Sequence, residues 1–173
     1  GSGEQVSCGA SVGAVIHGMD ATDPDELRHK ADLALYRAKR AGRGTFSFYD
    51  AALDDQMRER RTLANELRAA IGTDQLLLHY QPLYEADGAT LTGYEALVRW
   101  QHPTRGMVPP SQFVPLAEDT GLIDSLGAWV LQEACRQAAS WPAPLSVSVN
   151  LSAAQFRRDD LLQTVVAALG EAG

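Results

Sequence analysis

Two charges sit inside a stretch that alternates like a β-strand, Thr92-Gly93-Tyr94-Glu95-Ala96-Leu97-Val98-Arg99-Trp100. A period of two places Gly93, Glu95, Leu97 and Arg99 on one face and Tyr94, Ala96, Val98 and Trp100 on the other. Glu95 and Arg99 therefore point the same way, roughly 13 Å apart at the rise of a strand. That span suits a carboxylate holding a metal ion and a cation holding the far end of an anionic substrate. It equally suits two residues on the wet face of an antiparallel strand. A second alternation over Pro144–Ser152 sets Val147, Val149 and Leu151 against Ser146, Ser148, Asn150 and Ser152. In a barrel with helices outside, the apolar set faces the helices and the small polar set faces inward. Asn150 then stands at the C-terminal end of its strand, where barrel enzymes keep their chemistry. Asn150 as the cap of a helix beginning near Ala153 is the competing reading. Lys39 and Arg43, four residues apart, fall on neighbouring turns at the predicted C-terminal end of a helix, where the macrodipole favours cations whatever their role.

These residues need elements to hold them. Glu4–Ile16 reads as a strand with Ser11-Val12-Gly13 near its middle. Asp23 as N-cap, Pro24 at the first helical position and Glu26 completing a capping box open a helix that Gly42 and Gly44 close. Its apolar stripe is Leu27, Ala31, Ala34, Leu35 and Ala38. Thr45–Tyr49 reads as a strand. Asp50–Ile71 is a charged helix with apolar positions Leu53, Met57, Ala64, Leu67 and Ile71, interrupted by Arg60. Gln75–Leu83 is the next strand, and Ala86-Asp87-Gly88 turns it back into the Glu95 strand. His79 and Gln81 share one face of it, and His79 reads more readily as a packed side chain than as a ligand. Residues 101–106 read as loop. Ser111–Trp141 holds two helices divided near Gly121, the second burying Leu126, Trp129, Val130, Ala134, Cys135 and Ala138, and Leu161–Leu169 is a last helix. Glu118 reads equally well as a helix-surface acid.

The 173 residues suit one domain or parts of two, and 45% hydrophobic residues suffice for a core. A net charge of −7 argues against a general DNA, RNA or membrane-surface binder, so an anionic ligand needs a local site. Ten of the fifteen Lys and Arg residues lie between Arg28 and Arg68, mixed with acids, as on a solvated helix face. His17, His29, His79 and His102 have no metal-cluster spacing. Cys8 and Cys135 are far apart and fit a reduced, cytoplasmic setting. No apolar run approaches the length of a membrane helix, although a longer parent could be membrane-anchored.

Glu95-Ala96-Leu97-Val98-Arg99-Trp100 with His102-Pro103 resembles the signature of the EAL family, phosphodiesterases of the bacterial second messenger cyclic di-GMP. Tyr80-Gln81-Pro82, Pro115-Leu116-Ala117-Glu118, Thr120-Gly121-Leu122-Ile123 and Val149-Asn150-Leu151-Ser152 follow the same family in order. Upstream, Ser11-Val12-Gly13, Ala31–Lys39 and Gly42-Arg43-Gly44 resemble the C-terminal end of a GGDEF diguanylate cyclase domain, with Gly44 where that family usually has asparagine. The resemblance implies an α/β chain in three parts: 1–49, the α+β tail of a GGDEF-like domain; 50–71, a linker helix at which a homodimer could form; 72–173, the first strands and helices of an EAL-type TIM-like barrel, incomplete. It implies Glu95 and Asn150 as ligands of a catalytic Mg²⁺ or Mn²⁺, Arg99 and Gln81 as substrate-binding residues, and Lys39 and Arg43 as remnants of a nucleotide-phosphate site. The implied parent hydrolyses cyclic di-GMP to linear pGpG. The remaining acids and the lysine of the family belong to later strands, so this chain alone is expected to be inactive. The alternatives are a degenerate EAL domain that binds cyclic di-GMP or a protein without hydrolysis, and a parent whose main activity is cyclase.

Overall fold

The computed structural model describes residues 9–86, 88–142, 144–157 and 160–173, excluding the side chains of Leu53 and Asp54. The start of the predicted Glu4–Ile16 strand, Cys8, Asp87 of the predicted turn and the Leu53 side chain lie outside the described residues. The chain divides into two compact units, Gly1–Arg61 and Thr62–Gly173.

In the first unit, β1 (Val12–Ala14) and β2 (Phe46–Phe48) pair in parallel, Val12 opposite Phe46, with α1 (Pro24–Arg40) between them in sequence. Among the described residues β1 is three residues long, as short as the strand it pairs with, where a longer strand was expected. Asp23 caps α1 as expected: its Oδ1 accepts the backbone N–H groups of Asp25 and Glu26, each at 3.0 Å. The Glu26 carboxylate turns instead to Lys30 Nζ at 2.7 Å, so the predicted capping box is a plain N-cap. The helix ends at Arg40 because the chain enters the left-handed region at Gly42, φ 109°. Arg43 therefore lies beyond the helix, and the expectation that it and Lys39 share neighbouring helical turns is corrected.

The division between the units falls inside α2 (Ala51–Ala70), where the sequence reading set a linker over 50–71. The second unit continues with β3 (Leu76–Tyr84), β4 (Leu91–His102), β5 (Gly106–Val108), α3 (Pro110–Thr120), α4 (Ile123–Ala139), β6 (Ser146–Val149) and α5 (Leu161–Ala172). β3 and β4 form a long antiparallel hairpin, Leu76 opposite Trp100 and Gln81 opposite Glu95. On its other edge β4 pairs antiparallel with β5 through Trp100–His102 and parallel with β6 through Gly93–Ala96. β4 runs to His102, through the start of the segment expected to be loop. The His102 Nδ1 accepts the N–H groups of Thr104 and Arg105 at 3.2 and 3.1 Å, which closes a tight turn and lets β5 pair.

The core lies on one side of this sheet. Trp100, Phe113, Leu67 and Leu116 are fully buried, with Leu63, Ala64 and Ala70 from α2 and Leu122, Ile123, Leu126 and Val130 around α4. The last turns of α2 thus bury their apolar stripe inside their own unit. Glu66, on the same helix, accepts from Arg105 Nε at 3.2 Å and faces His102 Nε2 at 3.4 Å. As predicted, two helices flank Gly121, whose φ of 73° ends the first of them; of the positions expected to be buried in the second, Leu126, Val130 and Ala134 are, Trp129, Cys135 and Ala138 are half-buried, and Ile123, Gly127 and Leu131 are buried as well. Among the described residues no helix is long and apolar enough to cross a membrane.

Candidate functional site

The opposite side of the sheet carries its polar side chains, among them Gln81, Glu95 and Arg99, interspersed with Leu77, Leu83 and Leu97. In an antiparallel pair, residues directly across from one another put their side chains on one face. Gln81 therefore stands beside Glu95, and His79 beside Leu97. The parallel pairing sets Ser148 on the other flank of Glu95. Two residues further on, just past the end of β6, Asn150 Nδ2 donates to Glu95 Oε1 at 2.6 Å. The two residues that the sequence singled out from stretches 55 positions apart thus touch. Asn150 does not cap the following turn: Ser152 does, accepting the Ala154 N–H on its Oγ at 3.2 Å, before a 3₁₀ turn at Gln155–Arg157. His79, expected to be packed, is exposed because it lies on this polar face.

Glycine makes the seam between β4 and β6 close enough for that contact. A Cβ placed on Gly93 would lie 2.2 Å from Ser146 O and 2.3 Å from Ser146 Oγ. The Ser146 hydroxyl uses the space to donate to Thr92 O at 3.1 Å.

Arg99, four residues beyond Glu95 on the same face, donates from Nη1 to Val98 O at 2.9 Å. It borders a cavity of about 360 Å³ whose other polar members are Glu118, Asn150, Ser152 and Gln155, with Val98, Val114, Leu126 and Val130 among its apolar walls. Glu118, which the sequence left as a surface acid, accepts a hydrogen bond from Ser152 Oγ. Glu118, Ser152 and Gln155 were not singled out as site residues. The signal was there, since Glu118 and Ser152 lie in quoted motifs, but nothing local says that they meet across 34 positions.

Lys39 and Arg43 belong to the first unit and are both exposed. Arg43 is the non-glycine residue at positive φ, 60°, among the described residues, between Gly42 and Gly44, which are also positive. Such a conformation costs a non-glycine residue roughly 1 kcal/mol or more and is often kept for a purpose.

Glu95 is half-buried and Asn150 exposed. Their contact joins the amide's donor end to one carboxylate oxygen and leaves Glu95 Oε2 and Asn150 Oδ1 as oxygen donors. Two such oxygens suit a hard divalent cation of the Mg²⁺ class better than a soft metal. Among the described residues no three of His, Cys, Asp and Glu gather into a ligand group.

The family profile of the EAL domain matches residues 64–173. An uncharacterized signaling protein of Caulobacter vibrioides is 48% identical over 159 residues, 92% of this chain and 20% of that protein. The bifunctional diguanylate cyclase/cyclic di-GMP phosphodiesterase MucR of Pseudomonas aeruginosa is 42% identical over 172 residues, 97% of this chain and 25% of that protein. The chain thus spans a fifth to a quarter of the length of these curated relatives. Among solved structures, the PaMucR phosphodiesterase in complex with c-di-GMP superposes with a TM-score of 0.61 at 47% identity, covering 64% of this chain and 47% of that one.

Proposed function

Because the chain belongs to the EAL domain family, we propose that its second unit carries the first half of a divalent-metal site which, in the parent protein, hydrolyses cyclic di-GMP to linear pGpG in the cytoplasm. The observation that carries this reading is the Asn150–Glu95 contact, which holds two oxygen donors together at the C-terminal end of β6 and on the polar face of β4. Support for the nucleotide comes from MucR, named as a cyclic di-GMP phosphodiesterase, and from the PaMucR complex with c-di-GMP.

In this reading Glu95 Oε2 and Asn150 Oδ1 hold Mg²⁺ or Mn²⁺. When bound, such an ion supplies charge neutralisation at the phosphate and acidifies a water molecule. Gln81, opposite Glu95, offers an amide to the ligand's polar edge. Arg99 neutralises phosphate charge at the far end of the same face, beside a cavity that Asn150 lines and Glu95 and Gln81 do not. Water can fill the remaining positions of Mg²⁺, but one carboxylate and one amide oxygen, with no further acid gathered beside them among the described residues, make a weak site, so the 173 residues alone are expected not to turn over substrate.

We further propose the three-part organisation 1–49, 50–71 and 72–173, with the first part the end of a GGDEF-like domain and Lys39 and Arg43 contacts for a nucleotide's phosphates. The similarity over 97% of this chain to MucR, which is named a diguanylate cyclase as well as a phosphodiesterase, supports it.

The test is cyclic di-GMP turnover by the full-length protein with Mg²⁺ or Mn²⁺. Glu95→Ala and Asn150→Ala should each lower it by at least about 100-fold, as expected for loss of a direct ligand of the metal ion. Undiminished hydrolysis by Glu95→Ala would refute the proposal. Tight cyclic di-GMP binding with no hydrolysis by the unaltered protein would replace it with the non-catalytic reading.

A further inference from the structure

We propose that Glu118 is a positioning residue that holds Asn150 against Glu95 through Ser152. The inference deepens the reading of the site given above and rests on Asn150 being part of it. The pairing of β6 with β4 ends at Val149 opposite Ala96, so the sheet ladder stops one residue short of Asn150. What fixes Asn150 is then the turn that follows it, and that turn is held from two sides.

From α3, Glu118 Oε1 accepts the Ser152 hydroxyl hydrogen bond. Glu118 follows directly on the buried residues Leu116 and Ala117, which anchor that part of the helix in the core. From the turn itself, Gln155 folds back: its Oε1 accepts the Ser152 N–H at 2.9 Å, and its own N–H donates to Ser152 O at 3.0 Å. The Gln155 side chain is buried, 6% exposed, and is seated where α4 has no side chain: a Cβ on Gly127 would lie 2.0 Å from Gln155 Nε2. Ser152 is the joint of the assembly, donating to Glu118 through Oγ, to Gln155 through N, and accepting from Ala154 N–H at 3.2 Å. A carboxylate at 118 is suited to this because it accepts from the hydroxyl and leaves Ser152 Oγ free to accept from the backbone.

Amide hydrogen exchange on this chain reads the clamp directly. Glu118→Ala and Ser152→Ala should each speed exchange at Ser152, Ala154 and Gln155 by roughly tenfold or more, while the α4 amides stay as they were. Glu118→Gln, which keeps an acceptor oxygen, should restore the slow exchange. In the full-length protein, Mn²⁺ affinity followed by electron paramagnetic resonance should fall on the order of tenfold in Glu118→Ala and recover in Glu118→Gln. Unchanged exchange in Glu118→Ala overturns the proposal, as does a Glu118→Gln variant as impaired in Mn²⁺ binding as Glu118→Ala, which would make Glu118 a charge rather than a positioner. Failure of the phosphodiesterase reading shows elsewhere, as turnover that survives Glu95→Ala, and leaves the exchange result standing.

Discussion

Gly93→Ala places a methyl carbon inside β6, because the Cβ falls 2.2 Å from Ser146 O, a backbone atom with no freedom to swing away. Ordinary van der Waals contact begins near 3.4 Å, so the two strands must part locally by about 1 Å. Overpacking of this kind costs about 1–3 kcal/mol. The same movement carries the end of β6 outward and stretches the 2.6 Å Asn150–Glu95 bond toward roughly 3.6 Å, where it no longer counts as one. Urea unfolding of this chain measures the first effect as a lower midpoint. A double-mutant cycle measures the second: Glu95→Ala and Asn150→Ala, alone and together, should show a coupling of about 1 kcal/mol with Gly93 present and none in the Gly93→Ala background. Loss of stability with the coupling intact would refute the idea that the β4–β6 seam sets the site's geometry. An unchanged midpoint would refute the steric reasoning itself.

Two further outcomes follow from the core and from the far side of β3. Leu67 is fully buried among residues of the second unit, so Leu67→Ala should cost about 2–5 kcal/mol in urea unfolding, and an unaltered midpoint would show that the end of α2 is dispensable to that core. The Tyr80 hydroxyl is buried with no partner among the described atoms, and burial first, then the Glu133 carboxylate, raises its pKa above the ordinary 10.0. An unfolded chain gives up that proton at lower pH than the folded one, so stability is whole below about pH 10 and falls as pH rises beyond it. Tyr80→Phe should flatten this alkaline loss relative to the unaltered chain; an identical pH profile for both would contradict the assignment.

Where function is written along one segment, the sequence was readable. Asp23 announced the start of α1, and the small polar alternation of Ser146, Ser148 and Asn150 announced both the polar face of β6 and the position of Asn150 just past its end. What depends on pairing between distant segments was not. That Gln81 lies across from Glu95 is a matter of hairpin register, and that Glu118 meets Ser152 depends on how α3 lies against the turn after β6. Local chemistry misled in two places. His102 looked like part of a loop because His-Pro follows a strand, yet its ring builds the turn that extends the sheet. Arg43 looked helical by its spacing from Lys39, and the left-handed Gly42 removed it from the helix.

β4 separates its duties by parity. Alternate residues Ala96 and Trp100 are 3% and 0% exposed and belong to the hydrophobic interior, while Glu95 and Arg99 take no part in it. Selection can therefore act on the two sets almost independently. Under the metal-site reading proposed above, a lineage that needs only a receptor for the nucleotide can exchange Glu95 or Asn150 and keep the buried set, whereas one that alters Trp100 disturbs the core. On that reading inactive descendants are an easy evolutionary exit for such a strand, and a fold that survives says little about whether the chemistry has.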